Sequence, residues 1–187
     1  MPDQTLTHQV IYSVFVRCHT PEGTFRALER DLDRIRALGT DILWLMPIHP
    51  IGIEGRKGTL GSPYAIRDYR AVNPEYGTRE DFLHLVEAIH ARGMKCIIDV
   101  VYNHTSPDSV LYSEHPEFFY HGPDGKPGNK IGDWSDVIDL VLGVHIAVIA
   151  VRVGTAEAAF PALETDGVDR HEPYNVRAEG LDADKVG

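Results

Sequence analysis

The sequence predicts an α/β fold, the N-terminal portion of a (β/α)8 TIM barrel left incomplete, and three observations carry that expectation. Hydrophobic periods alternate strand, helix, strand, helix, strand from Val10 to Val101, the pattern of a parallel sheet with helical crossovers. Two long irregular segments, 47–77 and 105–133, leave from the C-terminal ends of predicted strands, where barrel enzymes carry their active-site loops. Asp99-Val100-Val101-Tyr102-Asn103-His104 then places a carboxylate, an amide and an imidazole at the end of the apolar run Met94 to Val101. A parallel strand buried on both faces reads as such a run, and ligand chemistry gathers where it stops.

The elements follow in order. Val10 to Val16 mixes β-branched and aromatic residues and predicts the first strand, with Pro21-Glu22-Gly23 as a turn and Thr24 as a helix cap. Phe25, Leu28, Leu32, Ile35 and Leu38 recur at spacings of three and four, with Arg26, Glu29, Arg30, Asp33 and Arg34 between them. That spacing predicts one amphipathic helix closed by Gly39. Asp41 to Met46 predicts the second strand, stopped by Pro47, which has no ladder donor to give. The second helix opens on the capping pattern Thr78-Arg79-Glu80-Asp81, sets Phe82, Leu85, Val86, Ile89 and His90 on one face, and ends at Gly93. The third strand follows directly. The glycine, proline and tyrosine content of 47–77 marks it as a functional loop, because a disordered segment would not keep its tyrosines.

Composition narrows the function. With 18 Lys and Arg against 28 Asp and Glu, the formal charge of -10 offers no basic footprint to nucleic acid or to an anionic membrane. A neutral ligand suits it. Leu140 to Val151, the longest apolar run, is interrupted by Gly143 and His145 and is short of the roughly 20 residues that span a bilayer. The polar stretch Met1 to Gln9 lacks the apolar core of a secretory signal, so a cytoplasmic location is expected. Cys18 and Cys96 form no C-x-x-C pair and lie in or beside predicted strands, which predicts buried free thiols. No G-x-S-x-G elbow, phosphate-cradling glycine loop or dinucleotide fingerprint occurs. His115, His121, His145 and His171 lack zinc spacing and read as surface or packing residues, and Asp124-Gly125-Lys126 with Asn129 reads as a plain turn without EF-hand spacing.

Asp99 to His104 resembles the strand-three pattern Asp-x-x-x-Asn-His of the α-amylase superfamily, glycoside hydrolase family 13. Two further segments are similar to that family in the same order. Tyr64-Ala65-Ile66-Arg67-Asp68-Tyr69 matches its Tyr-x-x-x-Asp-Tyr element, and Leu45-Met46-Pro47-Ile48 matches the end of its second strand. Asp133-Trp134 and Asp139 resemble the returning limb of the small B domain that the family inserts after strand three. The resemblance spans about residues 10–139. It implies residues 1–104 as barrel, 105–139 as partial B domain, and an α-glucan or oligosaccharide as substrate, for hydrolysis or transglycosylation. It also implies that Tyr64 stacks under the sugar at the cleavage subsite, the alternative being a Tyr64 that only packs its loop. By the same resemblance His104 hydrogen-bonds a sugar hydroxyl, Asp99 and Asp68 support the site structurally, and Asn103 anchors the B domain and in many members ligates Ca²⁺.

Retaining glycosidases need two carboxyl groups about 5 to 5.5 Å apart, one as nucleophile and one as acid. The family carries these after strands four and five, the nucleophile within Gly-x-Arg-x-Asp, a pattern this sequence does not contain; Gly167 to His171 has the wrong order. A complete barrel also takes about 250 residues. From Leu140 onward Val, Ala and Gly dominate and the alternation stops, so residues 140–187 are expected to be a divergent or frameshifted tail. The catalytic pair is therefore expected to be missing from the 187 residues, and the isolated chain to be inactive. Three strands of eight would leave apolar edges uncovered. A non-catalytic carbohydrate-binding fragment is the alternative, and an unrelated α/β enzyme using Asp99 and His104 with a metal is a third.

Overall fold

The structure, a computed structural model, describes residues 7–141; the expectations for residues 142–187, His145 and His171 among them, lie outside the described residues. Its centre is a parallel three-stranded sheet in the order β1 (Ile11–Val14), β2 (Ile42–Leu45), β3 (Lys95–Ile98). Ser13 pairs with Trp44 and Trp44 with Ile97, so one row of side chains runs across the sheet. The side-chain period of two sends Leu43, Leu45, Cys96 and Ile98 to the other face, where they join Phe25, Leu28, Leu32, Ile35, Phe82, Leu85 and Ile89 in a single core.

Helices cover that face. Between β1 and β2 run α1 (Val16–His19), α2 (Phe25–Glu29) and α3 (Leu32–Ala37); α4 (Arg79–Ala91) leads into β3. The helix predicted from Phe25 to Leu38 is thus two helices with a tight turn between them, in which Asp31 N–H donates to Leu28 O. Asp31 explains the break, because its carboxylate faces outward to Arg34 at 2.6 Å and His19 at 2.7 Å. Those partners hold it well below the usual carboxylate range, at about 2, the Arg34 hydrogen bond first. Leu38, expected on the apolar face, is exposed, while Gly39 closes the helix with φ 87° as expected. The first strand ends at Val14 rather than Val16, since Val16 begins α1, and Cys18 on α1 is exposed rather than buried.

Helix α4 forms as its sequence dictates. Thr78 accepts from Asp81 N–H while Asp81 accepts from Thr78 N–H, closing a reciprocal capping box. Phe82, Leu85, Val86 and Ile89 are buried, whereas His90 turns to solvent, one position off the apolar stripe. Arg26 to Asp81 (2.7 Å) ties α2 to α4, and Arg92 to Asp33 (2.6 Å) ties the end of α4 to α3.

Burial on both strand faces, expected from the apolar runs, is not what the described residues show. Trp44 keeps 39% of its surface exposed, and Ile11 on the β1 edge keeps 52%. Helices pack on one side of the sheet only, so among the described residues the row through Trp44 has no covering layer. None of the described helices is long and apolar enough to cross a membrane.

Beyond β3 the chain forms β4 (His104–Thr105), α5 (Val110–Glu114), a 3-10 turn at Pro116–Phe118, and β5 (Ile138–Asp139), which returns antiparallel to β4 with His104 opposite Asp139. Phe119, Ile138 and Leu140 make a second, smaller core under this excursion. Asp124 to Lys126 is a turn closed by Gly122 N–H to Lys126 O at 2.8 Å. His115 stacks on Phe118 at 4.6 Å, and His121 is exposed.

Candidate functional site

The C-terminal ends of the three strands lie level, because Met46 N–H donates to Val14 O (2.9 Å) and Asp99 N–H to Leu45 O (2.8 Å). Both long loops rise from this edge and are joined to each other. Segment 47–77 folds on itself through Gly52 N–H to Ala65 O (2.9 Å) and Arg67 N–H to Pro50 O (2.8 Å). The Arg56 guanidinium meets three carbonyls of the same loop, those of Ile51, Gly52 and Thr59. Ser106 N–H and Val110 N–H then donate to Ile66 O and Arg67 O, and Asp108 accepts from Ile53 N–H. Gly52 sits directly against Ser106, where any Cβ would collide, so this junction requires glycine.

This framework brings Tyr64, Asp99 and His104 together. The half-buried Tyr64 hydroxyl donates to Asp99 Oδ2 at 3.1 Å, which anchors the far end of the phenol ring. Burial pushes the Tyr64 phenol up, and the Asp99 charge adds to the shift, so the hydroxyl remains a donor at neutral pH. The buried His104 ring lies close to the Tyr64 backbone carbonyl. Desolvation pulls its pKa down while the charges of Asp139 and Asp136 partly oppose that, and the ring is neutral near pH 7. A neutral imidazole offers one N–H donor and one acceptor nitrogen.

Tyr69 fixes the backbone on which His104 sits. Its hydroxyl donates to Val101 O (2.7 Å) and His104 O (3.0 Å), and its ring stacks on Tyr102 at 5.5 Å. Asp68 is placed differently: half-buried, it accepts from Arg70 N–H at 2.8 Å and caps its own turn. Asn103 is exposed, and its backbone carbonyl rather than its amide meets the returning strand, accepting from Leu140 N–H at 3.0 Å. Among the described residues no three His, Cys, Asp or Glu side chains converge where they could hold a metal ion. Calcium takes about six to eight oxygen ligands, amide and backbone carbonyl oxygens among them, and no step below runs through the ion.

One residue near the site went unnoticed in the sequence, and a second, Trp134, was read only as part of the returning limb and not as a neighbour of His104. His49 follows Pro47-Ile48 at the end of β2, is only 3% exposed, and leaves Nε2 without a partner while Nδ1 hydrogen-bonds Ala71 O at 3.0 Å. Its ring meets Tyr69 at 5.8 Å, and burial holds its pKa below the ordinary imidazole value. A histidine between two prolines at a strand end was the available signal. Trp134 meets the His104 ring at 5.9 Å. Nothing local to Trp134 announces that contact, since only the return of the chain to β4 creates it.

Residues 5–135 match the family described as "Alpha amylase, catalytic domain". Among solved structures the chain is similar to an α-amylase from Lactobacillus plantarum, with 62% identity and a TM-score of 0.73 over 74% of this chain and 33% of that one. A maltogenic α-amylase from Thermotoga neapolitana follows at 45% identity and TM-score 0.68, covering 72% of this chain and 32% of that one. The α-1,4-glucan:maltose-1-phosphate maltosyltransferase of Myxococcus xanthus is 41% identical over 132 residues, 61% of this chain and 20% of its own. A trehalose synthase/amylase of Mycolicibacterium smegmatis is 39% identical over 71% of this chain and 21% of its own. The chain thus spans about one fifth of the length of these curated relatives. The match runs from before β1 to Ser135, over the three strands of the central sheet, both long loops and β4, and the chain belongs to the α-amylase family.

Proposed function

We propose that this chain carries the sugar-holding half of a glycosidase or transglycosylase site for α-glucosidic bonds. Its substrate would be an α-glucan or maltooligosaccharide, in keeping with the glucan and maltose chemistry that its relatives' names record. The observation that carries the proposal is the linked set of Tyr64, Asp99 and His104 at the strand C-termini. An aromatic ring anchored at its far end suits the apolar face of a pyranose. The unprotonated nitrogen of a neutral His104 accepts from a sugar hydroxyl, a contact that strengthens as positive charge develops on the ring. Asp99 acts through Tyr64, by fixing the phenol, and is a positioning residue.

In this reading residues 1–104 are the opening of a (β/α)8 barrel, 105–139 begin an inserted B domain, and 140–187 are a divergent or frameshifted tail. The 187 residues hold no Gly-x-Arg-x-Asp motif, and stacking with one imidazole cannot protonate a leaving group. The polypeptide by itself therefore binds without cleaving. That separation is measurable: calorimetric titration of the 187-residue protein with maltoheptaose should show binding that Tyr64→Ala and His104→Ala each weaken, with no release of reducing sugar. Sugar binding indifferent to both substitutions removes the site assignment, and robust hydrolysis by protein free of other enzymes removes the half-site. Re-reading the encoding DNA in the other two frames near codon 140 tests the tail, where absence of a fourth-strand sequence in either frame counts against a frameshift.

A further inference from the structure

We propose that the Trp134 indole is a second aromatic platform, which receives the glucosyl unit next to the one held by Tyr64 and His104. The inference rests on the sugar-binding reading of those two residues and extends it, because a second platform makes the site one for oligosaccharides rather than single sugars. Trp134 keeps 40% of its surface exposed although it lies against the buried His104, at 5.9 Å between ring centroids and 65° between planes. That edge-on contact leaves part of the apolar indole exposed beside the imidazole.

The seat under that ring is built. Asn129 Nδ2 donates to Trp134 O (2.7 Å) and Val137 O (3.2 Å), and Val137 N–H returns to Trp134 O at 3.2 Å. Lys57 crosses from the other loop to donate to Asp133 O at 3.0 Å and to pair with the buried Asp136 carboxylate at 3.3 Å. Gly55, at φ 66°, lets its backbone lie directly on the Ser135 carbonyl, where a Cβ would collide. Residues on both sides of Trp134 are therefore fixed to the loop that carries Tyr64. A large apolar ring on a fixed backbone loses little conformational freedom when a ligand covers it, which is how aromatic contact residues reach affinity.

The chain has two tryptophans, Trp44 and Trp134, and Trp44 lies in β2 within the sheet, so fluorescence separates them. In Trp44→Phe protein, maltoheptaose should change the emission of the remaining indole, and the change should be absent in Trp134→Phe. By calorimetry Trp134→Ala and Trp134→Leu should weaken maltoheptaose binding about tenfold, the upper range of an aromatic contact, while Trp134→Tyr keeps most of it. Leu fills apolar volume without a flat face, so equal binding by the Leu and wild-type proteins overturns the platform. Melting curves for each variant show whether it is folded, and the Leu variant serves if Ala is not. Wild-type affinity in Trp134→Leu together with weakening by Tyr64→Ala overturns this inference alone. No binding by the wild-type protein overturns both it and the sugar-binding reading.

Discussion

Replacing Tyr69 by Phe removes one oxygen and leaves the packing of the ring in place, so its consequence is computable. The hydroxyl serves Val101 O at 2.7 Å and His104 O at 3.0 Å. Burial drives the phenol pKa well above its ordinary value, so it donates at any working pH. Without it the two carbonyls lose the one proton they share, and leaving such acceptors short of a donor costs about 2 kcal/mol. For a domain of this size that lowers Tm on the order of 5–10 °C. The same change frees the strand-end backbone that positions the His104 ring, so its imidazole resonances should shift in nitrogen-correlated NMR spectra, and maltoheptaose affinity should fall with them. Calorimetric melting and those spectra check the two effects separately. A Tm within about 1 °C of wild type, with unmoved His104 resonances, would refute the claim that Tyr69 holds the loop.

Other substitutions test other links. Thr78→Ala opens the capping box of α4 and should cost about 1 kcal/mol in urea unfolding, with Thr78→Ser sparing most of it. Burial pushes the Cys96 thiol up to about 12 whereas Cys18 is exposed, so iodoacetamide at mildly alkaline pH should label one cysteine in native protein, Cys18 by peptide mapping, and two after denaturation. Stability should decline as pH falls below about 6.5, the imidazole pKa of an unfolded chain. Burial holds His49 and His104 below that value in the fold, so the unfolded state takes these protons first. His49→Asn, which keeps a donor for Ala71 O, should shallow that slope without abolishing it, and an unchanged slope in urea midpoints would exclude His49 as a contributor.

The sequence made legible what local rules govern. The capping box at Thr78, the stripe Phe82 to Ile89 and the glycine stops after the helices were readable because period and cap chemistry act over a few residues. The ordered motifs at Tyr64 and at Asp99 to His104 were readable because each motif lies within one short stretch. The break at Arg30 and Asp31 was not, since the apolar period continues through it and only the reach of Asp31 to His19 reveals the turn. Exposed Trp44 and Leu38 were missed for the converse reason: a periodic apolar residue is buried only where another element covers it.

The sequence by itself determined the α/β order, the parallel sheet and which short segments carry the site, because backbone preference and hydrophobic period are properties of neighbours along the chain. Only the tertiary structure decided that Tyr64 leans on Asp99, that His104 lies beside the Tyr64 carbonyl, that Tyr69 ties down the strand end, and that Trp134 returns beside His104. Those contacts join residues distant in the chain, and their geometry is set by loops whose carbonyls and glycines find partners only when the whole edge of the sheet has assembled.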